Sequence, residues 1–148
     1  MRIPYRHVTS GYSVLSDRAK DQLRLELYID EVDIPLVPNI VLRMASMHPH
    51  TIELIMLRSR PNTSREPAHF HLSPSWKEID EILAHPRYSD LALFDLMTAD
   101  FYREELPDEY DCVIDLASAL LPKFSVQSPH AVGGCVRWRT TGSCEYHR

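Results

Sequence analysis

A chain of 148 residues fits one domain, and folding at this size buries about two-thirds of the surface that the unfolded form exposes. Its 44% hydrophobic and 25% charged residues are those of a globular chain, so global disorder is excluded, and a formal charge of −5 disfavours nucleic acid, whose phosphates need clustered cations. No apolar run reaches the roughly 18 residues of a bilayer span, and the opening Met1-Arg-Ile-Pro-Tyr-Arg-His lacks the apolar stretch of a secretion signal, so the expected location is cytoplasm or nucleus.

In chain order, residues 1 to 14 mix Pro4, Gly11 and polar residues without a period and read as an irregular lead-in. Ser16 and Asp17 can cap a short helical turn. Leu23, Leu25, Leu27 and Ile29 then alternate with Arg24, Glu26 and Tyr28, the period of a half-buried strand. After the turn at Asp30–Pro35, Pro35 and Pro38 suit the first turn of a helix carrying Ile40, Val41, Met44 and Met47 on one face. That helix stops at His48-Pro49-His50. Residues 51 to 57 are apolar on both faces, as expected of a central parallel strand. Residues 58 to 68, with Arg58, Arg60 and Arg65, form a polar loop.

The spacing Ser75-Trp-Lys-Glu78 predicts a capping box, with Trp76, Ile79, Ile82 and Leu83 as the buried stripe and Pro86 ending the helix. Residues 91 to 96 form a third strand. An acidic connection follows, with further loop contacts expected over 98 to 109. A helix over about 108 to 120 carries Tyr110, Val113, Ile114, Ala117, Leu120 and Leu121 on one face. Phe124-Ser-Val-Gln adds a short last strand. From Pro129 the pattern is lost, so the chain divides into a domain over 1 to 128 and a disordered tail over 129 to 148.

The fold class expected is α/β, with three to four mostly parallel strands alternating with helices. Leu25, Leu54, Leu93 and Val126 stand about 29, 39 and 33 residues apart, one strand and one helix per unit. A leucine-rich-repeat-like ladder and a compact two-layer α/β sandwich both fit; the ladder is preferred.

The run His71-Leu-Ser-Pro-Ser-Trp76-Lys-Glu-Ile79-Asp80-Glu-Ile-Leu83-Ala-His-Pro86-Arg-Tyr88-Ser-Asp-Leu91-Ala-Leu93, followed by Leu120-Leu-Pro122, resembles the end of the irregular leucine-rich-repeat region in fungal F-box-type proteins. The likeness covers about residues 50 to 128. It rests on a Trp-x-x-Ile-Asp helix, a Pro-aromatic-Ser step, a Leu-rich strand and a Leu-Pro helix end. What it implies is a scaffold for protein recognition. Residues 1 to 22 hold no recognisable F-box, so recruitment to a ubiquitin-ligase adaptor does not carry over, and the chain reads as a fragment of a longer ancestor.

Catalytic signatures are lacking: there is no glycine-rich phosphate loop and no Gly-x-Ser-x-Gly elbow. His69 and His71, if extended, point to one face as a pair of metal ligands, with His48 and His50 as further donors. The acidic run from Asp100 to Asp115 lacks the Asp-x-Asp-x-Asp-Gly order of a calcium loop. Cys112, Cys135 and Cys144 are too widely spaced for a zinc pair and are expected to be reduced and incidental, Cys112 as a quiet helix residue. The functional expectation is therefore a non-enzymatic protein-recognition module without cofactor, whose partner touches the outward strand residues Arg24, Glu26, Tyr28, Glu53 and Asp95. The rivals are a small metal protein using His69 and His71, and an orphan product without selected activity, prone to self-association.

Overall fold

A computed structural model describes residues 11–17, 22–57, 70–101, 113–138 and 144–147. One sheet of six strands organises it: β1 (Gly11–Asp17), β2 (Gln22–Asp30), β3 (Thr51–Leu57), β4 (Leu93–Phe101), β5 (Val132–Trp138) and β6 (Cys144–His147), lying side by side in chain order. The four central strands are parallel, and β1 and β6 run antiparallel at the two edges. The helices α1 (Val37–Met44), α2 (Ser75–Leu83), α3 (Val113–Leu120) and α4 (Pro122–Gln127) lie in the connections between the parallel strands. Crossovers between neighbouring parallel strands take one hand, which stacks their helices on one face.

The register shows why that face is the core. Leu25, Ile52, Phe94 and Val132 stand in one cross-strand row, Leu27, Leu54, Leu96 and Gly134 in the next, and Ile29, Met56 and Thr98 in a third. The apolar residues of these three rows are buried in a single cluster with Val37, Val41, Trp76, Ile79, Leu83, Leu116 and Phe124 from the helices. Ile55, from the other face of β3, is 8% exposed and stands outside that cluster. The α/β class with mostly parallel strands is thus present as one sheet and one helical layer.

Each helix has a local reason. Asp30 ends β2 and accepts from the Val32 N–H at 3.1 Å, starting a 3-10 turn that leads into α1, with Pro38 in its first turn. The chain leaves α1 through a second 3-10 turn, Ala45–Met47, and stops at His48, the one non-glycine residue with positive φ (50°) among the described residues. The Trp76 indole N–H donates to the Phe70 carbonyl at 2.7 Å inside the core, which anchors α2 as its stripe predicts. Beyond α2, His85 is extended before Pro86, and the buried Tyr88 hydroxyl donates to the Val41 carbonyl, tying this turn to α1. Burial pushes the Tyr88 phenol well above its ordinary value, so it remains a donor.

Several expectations are corrected. Residues 11 to 14 of the expected lead-in and the turn at Ser16 and Asp17 are replaced by β1, whose edge position spares it the apolar alternation of a buried strand, while residues 1 to 10 lie outside the described residues. The capping box at Ser75 does not form: Pro74 is already helical, so Ser75 lies inside α2, and the Ser73 hydroxyl accepts from the Ser75 N–H at 3.3 Å instead. The last short strand is α4, and part of the expected tail supplies β5 and β6. The repeat spacing is also shifted. Leu54 stands opposite Leu27 and Leu96; Leu93 faces away beside Thr51, and Val126 is on a helix. A one-residue slip exchanges the two faces of a strand, so that spacing cannot mark equivalent core positions. The loop expected over 98 to 109 begins later, because β4 continues through Asp100 to Phe101 beside β5; residues 58 to 68, residues 102 to 109 and Cys112 lie outside the described residues.

Thr98 is fully buried in the core row, and its hydroxyl has no hydrogen-bond partner among the described residues. Desolvating such a group costs about 1–3 kcal/mol. Thr98→Val, nearly the same shape, is expected to raise stability by about 1 kcal/mol in a denaturant titration; a loss of stability would show that the hydroxyl is satisfied.

Candidate interaction surface

The second face of the sheet, which no described helix covers, collects all five of the expected partner-binding residues. Alternation puts Arg24, Glu26 and Tyr28 on this side of β2, because Leu25, Leu27 and Ile29 are in the core. Parallel register then sets Glu26 beside Glu53 and Glu53 beside Asp95, so three carboxylate residues from three strands form one row. The next row is Tyr28, Ile55 and Met97.

Glu26 is the centre of the local polar network. The Arg24 guanidinium lies 3.4 Å from one of its oxygens, and the Tyr28 hydroxyl donates to the other at 3.1 Å. The Arg24 side chain is half exposed and that of Glu26 only 15%, so the carboxylate is held between its two neighbours. Hydrogen bonds of this charged kind are stronger than neutral ones, although exposure of Arg24 limits what the ion pair contributes. Partial loss of hydration raises the Tyr28 phenol above its ordinary value. The hydrogen bond to Glu26 and the charges of Glu26 and Glu53 act the same way, and Arg24 opposes them. A raised value in the folded state keeps the Tyr28–Glu26 bond intact through neutral pH, and the bond is lost only as pH climbs through that value.

At the far end of the row Asp95 is 5% exposed. Its neighbour on β5 is Gly133, where a β-carbon would come within 2.8 Å of Asp95 Oδ1. The glycine leaves room for the carboxylate to lean over β5. Sequence reading placed Asp95 on this face but gave no sign that it is shielded while Arg24 is open. The surface is graded, with an exposed cation at one end and a buried carboxylate at the other.

Of the expected histidine pair, only His71 is among the described residues. His69 lies outside them, and His71 sits in a 3-10 turn (Phe70–Leu72) rather than an extended segment, edge-on to the Phe70 ring at 5.9 Å. The turn closes because the Ser73 N–H reaches the Phe70 carbonyl at 3.2 Å. His48 and His50 are at one end of the parallel strands, just before β3, whereas the turn holding His71 packs at the other end, on the 3-10 turn that follows β2. A seven-residue strand separates those ends by roughly 20 Å, too far for a shared ion. Among the described residues no group of three His, Cys, Asp or Glu side chains is placed to hold a metal.

Two grooves cross the helical layer. One, about 520 Å³, lies between α1 and α2 and is lined by Pro38, Leu42, Glu78, Ile82 and His85. The other, about 700 Å³, lies between α2 and α4, where Lys123 and Glu81 approach to 3.6 Å in an exposed pair. Neither lining contains serine, cysteine or threonine, so neither offers a hydroxyl or thiol nucleophile. Among the described residues no helix is long and apolar enough to cross a membrane. Compared with known proteins, the chain matches no family model, no curated protein and no solved structure.

Proposed function

We propose that the chain is a non-enzymatic protein-recognition module acting in the cytoplasm or nucleus, and that its partner docks on the second face of the sheet. One observation carries the reading: Glu26, Glu53 and Asp95 form a single row across three parallel strands, with Arg24 and Tyr28 ordered against Glu26, on a face no described helix covers. A rigid sheet presents such a row with little ordering entropy left to lose on binding, which favours recognition.

Topology supports the same reading. Open parallel sheets bind small substrates in the crevice where strand order reverses. Here the order is sequential from β1 to β6, with no reversal among the described strands to open a crevice. The resemblance of residues 50 to 128 to a recognition scaffold points the same way.

The test replaces Arg24, Glu26, Tyr28 and Glu53 together by alanine. Proteins retained by the immobilised wild-type chain are expected to bind the variant at least about tenfold more weakly, since a few central residues carry most interface energy, while its thermal transition stays cooperative. Equal retention of every captured protein by a folded variant refutes the surface.

A further inference from the structure

The outer edge of β1 lies apart from the polar face. β1 is the terminal strand of the sheet, seven residues long and paired on one side only with β2 among the described residues. Natural edges are guarded by lysine, proline, a bulge or a short span. Residues 11 to 16, Gly-Tyr-Ser-Val-Leu-Ser, contain no charge and no proline, and the β1–β2 register runs unbroken from Gly11 to Asp17.

The helical layer also stops short of this strand. Tyr12 and Val14 stand beside Leu27 and Leu25 in the core rows, yet they are 51% and 38% exposed while Leu27 and Leu25 are buried. Leu15, on the opposite face, is 38% exposed as well.

We infer that β1 pairs antiparallel with β1 of a second copy of this chain, joining two six-stranded sheets into one. The occupant follows from the symmetry of the strand. A two-fold axis perpendicular to the sheet through Val14 sets Val14 opposite Val14 of the copy and Tyr12 opposite its Ser16, and keeps both helical layers on the same side. The Tyr12 and Val14 strips of the two copies then merge into one apolar strip flanked by α1 of each chain. Charge selects this edge too. Two chains of net charge −5 repel, but residues 11 to 16 carry no charge and the two-fold sets Asp17 opposite Gly11 of the copy, so no like charges face one another.

The experiment is sedimentation velocity on the full chain from about 10 to 200 µM, a range that resolves micromolar dissociation constants. Wild type is compared with Val14→Lys, Tyr12→Lys and the distant control Val126→Lys, a position 80% exposed on α4. The expected result is a monomer–dimer equilibrium whose dissociation constant rises at least about tenfold in each β1 variant and is unchanged in the control. Circular dichroism accompanies each sample, and Tyr12→Lys decides if Val14→Lys does not fold. A wild-type monomer throughout overturns the inference, as does a dimer that survives in both variants. A series of growing oligomers overturns it equally, because it marks head-to-tail pairing of β1 with β6. The β1 variants leave the polar face intact, so capture of its partner is unaffected and the two surfaces are tested apart.

Discussion

Gly134→Ala is expected to destabilise the fold by about 3 kcal/mol, the upper range for forcing a methyl group into a filled core. A β-carbon at 134 would meet the Ile114 nitrogen at 2.7 Å and the Val113 carbonyl carbon at 2.8 Å. Both are backbone atoms of α3, which cannot rotate aside as a side chain can. Relief requires α3 to lift from β5, against which it packs. For a chain of this length the loss lowers the melting temperature by roughly 10 °C. Gly133→Ala is the control: its β-carbon meets the movable end of Asp95 at 2.8 Å and Leu93 Cδ1 at 3.3 Å, so the cost stays near 1 kcal/mol. Similar melting temperatures for the two variants would mean that α3 does not lie so close to β5.

Asp80→Ala is expected to cost about 3 kcal/mol as well, from a different cause. Asp80 lies on α2 and is 3% exposed. Its carboxylate accepts from the Lys123 N–H at 3.1 Å and the Phe124 N–H at 2.9 Å, the second and third residues of α4. Pro122, at the first position, has no N–H to satisfy. One side chain therefore caps a helix 43 residues away, and alanine leaves both amides without an acceptor, one of them buried. Asp80→Asn retains an acceptor oxygen and is expected to lose about half as much. The change is read in urea midpoints; an Ala variant within 1 kcal/mol of wild type would show that water or another group takes over the cap.

These two residues also explain which elements the sequence announces. The central strands and α1 and α2 are legible because burial imposes a period: Leu25, Leu27 and Ile29 at every second position, and Trp76, Ile79 and Leu83 at helical spacing. The five polar residues of the candidate surface are legible for the same reason, as the complement of the buried positions. β5 is not, because Gly133 and Gly134 read as loop residues. They are there because the Asp95 carboxylate leans over Gly133 and the backbone of α3 approaches Gly134 too closely for a β-carbon. α4 is hidden by distance. Phe124 and Val126 mimic a strand, and the residue that starts the helix, Asp80, is remote in sequence. β1 is hidden by exposure, since an edge strand outside the helical layer has no need of the alternation that marks β2. The polar network at Glu26 follows from alternation, whereas the shielding of Asp95 depends on a glycine one strand away.

The most direct measurement of the recognition surface is carbodiimide labelling of carboxylates, resolved by residue, in the free chain and in its complex with a captured partner. Docking on the sheet predicts that Glu26 and Glu53 lose labelling in the complex while Glu78 and Glu81, on the helical layer, label as before. Protection of Glu78 and Glu81 with Glu26 and Glu53 unchanged would place the partner over the groove between α1 and α2, and would contradict the account.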